Sequence, residues 1–551
     1  MAFNIADLFE YVTDAVPDRT ALIADDGRRT FAELDERSNR FAHHLLSAGI
    51  TPGDHVGIHA LNSVEWVEAM YGCYKARAVP INVNFRYVED ELRYLYDNAD
   101  LVAVVHDRDF SPRIAHIRDE VDTLRHLVVI DDGTDTDLSG LDSVPYDDAL
   151  AAASPDRDFA PRSADDLYVL YTGGTTGMPK GVMWRQEDVI FALGGGIDAL
   201  TSQRATHDHE LAERAAASGG PVMFLAPAPM MHGASQWAVM GQGFVGNGTV
   251  LMAHFSPEQL WAQVEREGVN SILITGDAMG RPLIEYLEEH PEIDVSSVLS
   301  LSSTAAVFSP SVKDRFLEKF PDLILTDSIG SSESGFNGIK MVAKGDTAMS
   351  AGGPTVSAGP NVVILNEELE LIPPESNQVG HIGRGGNIPL GYYKDAEKTA
   401  ATFITATDGN RYSMPGDFAR WAEPGQITLM GRGSVSINSG GEKIFPEEVE
   451  HALKAHAAVY DCVVVGRPDE RWGQRVCAVL QLRPDAAVEL EEIQDHARTL
   501  IAGYKVPREL HRVDQIQRSP AGKPDYRWAL AVAEGDAEQS AEADQRTDAG
   551  S

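Results

Sequence analysis

The sequence predicts an α/β protein that carries a small α+β domain at its C-terminal end. Apolar runs that end in small or acidic residues recur between helical segments, as in LVAVVHD at 101–107, NSILITGD at 270–277 and LILTDSIG at 323–330. This rhythm favours layered α/β subdomains with ligand groups at the carboxyl ends of the strands. From Gly359 to Met430 the chain is rich in glycine and has shorter apolar runs, which predicts a β-rich subdomain.

A domain boundary is predicted near residues 431–436. After it, an amphipathic helix opens at Pro446, and two apolar runs and a second helix follow. We therefore expect a large N-terminal domain at 1–432 and a small C-terminal domain at 433–532. After Val532 the chain has six acids, one Arg and no apolar residue larger than Ala, so 533–551 should be a disordered tail.

The amino-acid composition of the chain excludes some classes of binding partner. The 551 residues are 43% hydrophobic, which is ample for large cores, and 46 Lys and Arg against 84 Asp and Glu give a net charge of −38. Such a surface repels nucleic acid and anionic membranes, so an anionic ligand needs a local cationic pocket. The three scattered cysteines are too few for a disulfide framework or a zinc cluster, which favours a reducing cytoplasm.

No membrane segment is predicted. The opening residues carry acids where a secretory signal would need a cationic segment and an apolar run. The stretch 215–257 lacks Asp, Glu, Lys and Arg, but Pro221, Pro227 and Pro229 interrupt it, so it does not offer about 20 apolar residues in one run. Buried loops and strands that line a cavity fit this stretch better.

The segment LYVLYTGGTTGMPKGV at 167–182 has the composition of a phosphate-binding loop. Glycines let backbone N–H groups approach phosphate oxygens, and threonine hydroxyls and a lysine add donors and charge. The spacing is not the Walker pattern, which ends in GK[ST] and opens a helix. A plain turn is the alternative. The candidate residues are Thr172, Gly173, Gly174, Thr175, Thr176, Gly177 and Lys180.

With this segment, the chain resembles the AMP-forming acyl and aryl synthetases, the adenylate-forming family that also includes luciferases and peptide-synthetase adenylation domains. The resemblance spans about residues 8 to 530 and recurs in order as TFAEL, GDHVGI, YTGGTTGMPKGV, GSSESG, GYYKDAEKTAATF, PGDFAR, GRGSVSINSGGEKIFPEEVE and SPAGKPD. The segments ITGDAMGRP, STAAVFSP and DSIGSSESGF are most similar to actinobacterial CoA ligases for steroid side chains. The resemblance implies a large adenylate-forming domain and a mobile C-terminal domain.

The resemblance also implies roles for residues of the nucleotide site. Glu333 would hold Mg²⁺ with Ser332 beside it, Asp417 would bind both ribose hydroxyls, and Arg432 would contact ribose or phosphate. Lys523 would reach the carboxylate and the α-phosphate of ATP and neutralise charge there, and Lys180 would add charge at the phosphates. By themselves, Glu333 could be a surface acid, Asp417 a loop cap and Lys523 an exposed loop lysine.

Departures from the family pattern affect the adenine pocket. Ile329 stands where many members have a stacking tyrosine, and 305–307 reads Ala-Ala-Val instead of GAP. Adenine can still pack on an aliphatic face, with Asp327 as an acceptor for its amino group.

The resemblance also implies which residues bind the acyl group and CoA. His232 matches an acyl-pocket position that is aspartate in amino-acid-activating relatives, and it would act as a gate or carboxylate contact, a satisfied core histidine being the alternative. Trp237 would line the acyl pocket beside glycines that leave room for a bulky apolar group. Gly440 and Gly441 would line the pantetheine tunnel, and Ser434 would be the hinge.

These observations predict an ATP-dependent acyl-CoA synthetase with ATP, CoA and Mg²⁺ as cofactors and a bulky apolar acid, such as a steroid side-chain acid, as substrate. The alternatives are a general medium- or long-chain fatty acid CoA ligase, an acyl-AMP ligase that loads a carrier protein, and a non-catalytic nucleotide-binding regulator. The last would have no reason to keep Lys180, Glu333, Asp417 and Lys523 together. The expected partners are small molecules, with no nucleic acid and no membrane span, and the oligomeric state stays open, a homodimer included.

Overall fold

The computed structural model describes most of the chain, and every structural statement below refers to that part. The described residues are 3–25, 27–172, 178–193, 196–197, 203–306, 308–342, 355–439, 442–469, 472–484, 486, 488–519 and 522–535.

The N-terminal region contains a five-stranded parallel sheet flanked by helices, in the order β4-β3-β5-β6-β7. Every residue of its central strand is buried, as expected for a parallel strand covered on both faces. A capping box opens the second helix, where the side chains of Thr30 and Glu33 each accept from the other's backbone N–H. The elements are α1 (Ile5–Ala15), β1 (Thr20–Ala24), β2 (Gly27–Thr30), α2 (Phe31–Ser47), β3 (His55–His59), α3 (Val64–Lys75), β4 (Val79–Asn82), α4 (Glu89–Asn98), β5 (Leu101–Asp107), α5 (Ser111–Ile117), β6 (His126–Ile130), β7 (Ser143–Pro145) and α6 (Tyr146–Ala151).

The middle of the chain builds the parallel half of a large sheet that has fifteen strands among the described residues. Strands β1, β11, β10, β12, β13 and β14 lie side by side and parallel. The elements are β8 (Leu167–Thr172), β9 (Lys180–Arg185), α7 (Gln186–Ala192), α8 (Glu210–Ala217), β10 (Met223–Ala226), α9 (Gly233–Phe244), β11 (Gly248–Leu251), α10 (Pro257–Glu267), β12 (Ser271–Ile274), α11 (Gly276–Glu289), β13 (Ser300–Ser303), α12 (Pro310–Lys319), β14 (Ile324–Ser331) and β15 (Gly335–Val342).

The stretch 215–257, which has no charged residues, contains β10, α9 and β11 and their connections. Throughout the described ranges, no helix has both the length and the apolar character that a membrane crossing requires.

The β-rich region continues the same large sheet instead of forming a separate one. Strand β15 pairs antiparallel with β14 on one side and with the next strand, β16, on the other, which carries the sheet into an antiparallel half. Strand β19 instead joins β9 and β8 in a three-stranded sheet. The elements are β16 (Thr355–Ala358), β17 (Val362–Leu365), β18 (Gly380–Arg384), β19 (Gly391–Tyr392), α13 (Ala396–Thr402), β20 (Phe403–Thr405), β21 (Arg411–Ser413), β22 (Asp417–Glu423) and β23 (Gln426–Arg432).

The C-terminal part is a five-stranded sheet with its own helices, in the order β25-β24-β27-β26 with β28 parallel to β27. One face packs on Val449 and Ile493, and the other packs on Trp528. The elements are β24 (Ile437–Ser439), β25 (Glu442–Ile444), α14 (Pro446–Lys454), β26 (Val459–Asp469), β27 (Gly473–Leu482), α15 (Leu490–Leu500), β28 (Glu509–Val513) and α16 (Tyr526–Glu534). Together, these units confirm the predicted fold class, a large α/β domain followed by a small α+β domain.

The last helix extends beyond the predicted start of the tail at 533. Ala533 is 2% exposed and packs in the cluster that contains Trp528, because an alanine on the inner face of a helix can be buried without a larger side chain. The helix ends at Gly535, whose φ of 79° is left-handed. Residues 536–551, the rest of the predicted tail, lie outside the described residues.

Candidate active site

A cavity of about 1340 Å³ lies where the carboxyl ends of the strands meet the small domain. Thr172 at the end of β8, Thr304 after β13 and His232 before α9 line it from the large domain. Residues 515–519 and 523–527 line it from the small domain. Ligand pockets usually measure about 300–1,000 Å³, so this cavity has room for more than one small reactant.

One branch of the cavity is apolar. Tyr168, Leu170, Phe224 and Trp237 line it, and the indole of Trp237 packs edge-on against the Tyr168 ring at 5.2 Å between centroids. The Tyr168 hydroxyl donates to Gln236 Oε1 at 3.0 Å, which fixes the ring. Trp237, which the sequence predicts in the acyl pocket, therefore lines an apolar part of the cavity wall.

A second branch is lined by hydroxyl groups. Ser302, Thr304, Thr326 and Ser328 lie along it, on or directly after neighbouring strands β13 and β14. Hydroxyls at the carboxyl ends of strands can donate to the oxygens of a nucleotide, so this branch fits ATP better than the apolar one.

Two positions that depart from the family pattern of the adenine pocket also line the cavity. Ile329 and Ala305 both line the cavity, and Ala305 has a left-handed φ of 65°, a conformation that a glycine adopts without steric cost. Asp327 forms an ion pair with Lys313. Burial raises the pKa of Asp327, while the Lys313 ammonium acts in the opposite direction.

His232 is a half-buried, neutral side chain in the cavity wall. Burial, with smaller contributions from the positive charges of Lys523 and Arg86, lowers its pKa to about 4. Its Nε2 has no hydrogen-bond partner among the described residues. An unpaired buried imidazole nitrogen is costly unless a ligand supplies the missing partner.

Lys523 reaches this wall from the small domain, on a tightly held turn. The Lys523 backbone N–H donates to Ser519 Oγ at 3.1 Å, and Arg518 Nη1 donates to the Gly522 carbonyl at 3.0 Å. Gly522 has a φ of 70°, and a Cβ there would lie 3.0 Å from the carbonyl oxygen of Thr275. The turn therefore sits directly against the large domain.

The Glu333 carboxylate is held beside the cavity. The Tyr392 hydroxyl donates to Glu333 Oε1 at 3.0 Å, and Ser413 Oγ donates to the Glu333 carbonyl at 2.6 Å. The neighbouring Ser332 lines the cavity, and its carbonyl accepts from the Trp184 indole N–H at 3.0 Å. A carboxylate oxygen next to a hydroxyl is a suitable oxygen ligand set for Mg²⁺.

The remaining predicted site residues are not part of the described cavity wall. Lys180 forms an ion pair with Asp395 and does not line the cavity. Asp417 and Arg432 face each other across β22 and β23, and the Arg432 side chain lies outside the described structure. The side chain of the predicted hinge residue Ser434 also lies outside the described structure. Seven other predicted residues lie outside it in full, namely Gly173, Gly174, Thr175, Thr176, Gly177, Gly440 and Gly441.

Arg86 is a cavity residue that the sequence reasoning missed. It lies in the loop between β4 and α4, burial lowers its pKa, and its charge acts on His232. The only sequence signal is a single arginine in INVNFRY at 81–87, which nothing distinguishes from a solvated surface arginine.

Comparison with known proteins shows which family the chain belongs to. The family described as "AMP-binding enzyme" matches residues 9–393, and "AMP-binding enzyme C-terminal domain" matches 448–523. The chain is 52% identical to a 3-oxocholest-4-en-26-oate–CoA ligase of Rhodococcus rhodochrous, with 96% of each chain covered. It is 50% identical to a medium/long-chain-fatty-acid–CoA/3-oxocholest-4-en-26-oate–CoA ligase of Mycobacterium tuberculosis (strain ATCC 25618 / H37Rv), again with 96% of each covered.

Among solved structures, the anthranilate CoA ligase AuaEII in complex with anthranoyl-AMP is similar in fold. Its TM-score is 0.83 at 22% identity, with 98% of each chain covered. The family match and the sequence relatives confirm the predicted resemblance, the ligase class and the cofactors ATP, CoA and Mg²⁺. The chain belongs to the AMP-binding enzyme family and, within it, to the adenylate-forming acid–thiol ligases.

Proposed function

We propose that this enzyme activates a bulky apolar carboxylic acid, such as a steroid side-chain acid, as its acyl adenylate and then transfers the acyl group to CoA. The observation that carries the proposal is that Lys523, His232 and the apolar branch around Trp237 share one cavity. The names of the two sequence relatives support the acid class, since both include a cholestenoate.

In the first half-reaction, a carboxylate oxygen attacks the α-phosphorus of ATP and pyrophosphate leaves. Two anions approach each other, so the site must supply positive charge where the transition state forms. Lys523 supplies that charge from the small domain, while His232 stays neutral and offers a hydrogen bond to the carboxylate. In the second half-reaction, the CoA thiol attacks the acyl carbon and AMP leaves.

We further propose the nucleotide contacts. The loop 172–177 and Lys180 cover the phosphates, Asp417 binds the ribose hydroxyls and Arg432 adds a charge at ribose or phosphate. Glu333, with Ser332 beside it, would hold Mg²⁺, which supplies charge neutralisation at the phosphates. Asp327, which pairs with Lys313, would accept from the adenine amino group.

We place the domain boundary after Arg432, with Ser434 as the hinge and Gly440 and Gly441 as the lining of the pantetheine tunnel. The strand order supports the boundary, because β23 ends the chain's path in the large sheet and β24 begins the small-domain sheet. Only a single 3₁₀ turn at Gly433–Val435 lies between them. A swing about this turn would let one small domain serve both half-reactions.

We also propose a cytoplasmic location. Cys73, Cys462 and Cys477 are buried free thiols, which suits a reducing compartment. Sedimentation at several protein concentrations measures whether the enzyme forms a homodimer.

A screen of carboxylic acids tests the proposal. Acids from short fatty acids to steroid side-chain acids should drive ATP–pyrophosphate exchange, and AMP release should then require CoA. AMP release with a carrier protein but not with CoA would favour the acyl-AMP ligase. A medium/long-chain fatty acid ligase is the second candidate, because one relative's name includes that activity, and it would show as a preference for palmitate.

A further inference from the structure

Helix α11 presents a row of polar side chains to the small domain. Asp277, Arg281 and Glu285 are spaced four residues apart, so they lie on one face of the helix. Arg281 is 2% exposed, and its Nη2 lies 3.5 Å from Asp277 Oδ2. Burial and the nearby Asp277 carboxylate restrict the Arg281 side chain, which can therefore serve as a docking point for the small domain.

The small domain meets this row with Tyr460 and Arg483. The Arg281 guanidinium lies 5.0 Å from the centre of the Tyr460 ring, and the Arg483 guanidinium lies 5.8 Å from the same centre. Arg483 Nη1 is also 3.3 Å from Glu285 Oε1, which accepts from Arg315 at 3.2 Å as well. The four residues Arg281, Glu285, Tyr460 and Arg483, here called the α11 clamp, join the two domains through one aromatic ring and one ion pair.

The clamp is connected to the turn that carries Lys523. Asp461 follows Tyr460, and its carboxylate accepts from Arg518 Nε at 2.6 Å and Nη2 at 2.7 Å. Arg518 in turn donates to the carbonyl of Gly522, the residue before Lys523. A bidentate arginine–carboxylate pair has a fixed geometry, so the position of Tyr460 constrains the position of the turn.

The same helix contacts the turn at its N-terminal end. A Cβ on Gly522 would meet the Thr275 carbonyl oxygen at 3.0 Å and the Ala278 Cβ at 3.1 Å. The small domain therefore touches α11 at two points, the clamp and the Gly522 turn, with Arg518 linking them. Two such contacts fix both the distance and the angle at which Lys523 enters the cavity.

We propose that the α11 clamp positions Lys523 for adenylation, and that its release is part of the swing toward thioester formation. The inference rests on the proposed two-step reaction. Tyr460 and Arg483 are positioning residues, since neither lines the cavity and each acts through the Asp461–Arg518 pair. A 1 Å displacement of a group such as Lys523 can cost about 10²-fold in rate.

Tyr460→Ala tests the proposal in the full-length enzyme. We expect ATP–pyrophosphate exchange to fall about tenfold or more, while thioester formation from supplied acyl adenylate and CoA stays within about twofold of wild type. Tyr460→Phe keeps the ring between the two guanidinium groups and should restore exchange. Arg483→Gln, at a partly exposed site, should show the same split to a smaller degree and covers the case in which Tyr460→Ala does not fold.

Combining Tyr460→Ala with Lys523→Ala tests whether the clamp acts through Lys523. If the clamp acts only through Lys523, adding Tyr460→Ala to Lys523→Ala causes no further loss of exchange. A further loss, or equal damage to both half-reactions by Tyr460→Ala, would overturn the proposal. Wild-type enzyme that shows no acid-driven exchange at all would instead contradict the proposed function.

Discussion

The imidazole of His232 in the large domain lies close enough to Lys523 in the small domain for the ammonium charge to lower the histidine's pKa. The two residues are far apart in sequence, yet both line the same cavity. This arrangement is suited to the first half-reaction, because it brings the small domain's lysine to the wall where the carboxylate is expected.

Bulky branched or polycyclic side-chain acids should give a higher kcat/KM than palmitate. The volume of the cavity beside Trp237 leaves room for a wide acyl group, and each mismatched methylene in an apolar pocket is worth about 1–3 kcal/mol. Steady-state AMP formation with a matched acid series measures the preference. If palmitate were the better substrate, the enzyme would be a general long-chain ligase.

Stability should decrease in mild acid because buried histidines must take up protons on unfolding. The pKa of the fully buried His106 is lowered from 6.5 to about 4, mainly by burial. The unfolded chain binds this proton first, so the contribution of His106 is fully present above about pH 6.5 and is lost as the pH falls toward 4. By linkage the loss is roughly 3 kcal/mol, at about 1.4 kcal/mol per pKa unit.

Urea denaturation between pH 4 and 7 measures this loss. His106→Asn should flatten the dependence of the unfolding free energy on pH over that range. An unchanged slope in the variant would show that His106 does not contribute to it.

Gly522→Ala should impair adenylation by displacing the Lys523 turn. The left-handed φ of 70° strains an L-residue, and the new Cβ would press on the Thr275 carbonyl at 3.0 Å. We expect acid-driven pyrophosphate exchange to fall at least tenfold, which is about 1.4 kcal/mol in barrier. Gly535→Ala is the matched control, since Gly535 has a φ of 79° but nothing within 4 Å of its Cβ position. Equal effects of the two substitutions would mean that the contact with Thr275 is unimportant.

The sequence predicted the strands and helices whose residue pattern is visible within a short stretch of the chain. The fully buried strand β5 and the half-buried strand β12 follow from their apolar runs, and the small domain follows from the change in pattern after residue 436. The neighbouring residues Ser332 and Glu333 lie beside the cavity, where their shared motif suggests a metal site.

Side-chain partners from distant segments could not be predicted in the same way. The Lys180–Asp395 pair joins residues 215 positions apart, and it forms because β19 pairs with β9 in the three-stranded sheet. The Lys313–Asp327 pair depends on how α12 packs against β14. The sequence of the β-rich region likewise does not indicate that this region extends the parallel sheet. The pairing of β14 with β15 depends on the register between the two strands.

Ser434→Pro should separate the two half-reactions. Proline fixes φ near −65°, which suits the 3₁₀ turn at Gly433–Val435 in which Ser434 lies, so the arrangement with Lys523 in the cavity should persist. Pyrophosphate exchange should stay within roughly tenfold of wild type, while acyl-CoA formation falls by far more, about 1.4 kcal/mol in barrier per decade. If both half-reactions were untouched, the pivot would lie elsewhere between 431 and 439 or the domain would not rotate.

The most direct measurement compares the two half-reactions of Lys523→Ala, with ATP–pyrophosphate exchange for the first and acyl-CoA formation from supplied acyl adenylate for the second. Because the lysine charge is needed only while the α-phosphate reacts, exchange should fall by about 10²-fold or more and thioester formation should be spared. Equal damage to both half-reactions would contradict the assignment of Lys523 to adenylation.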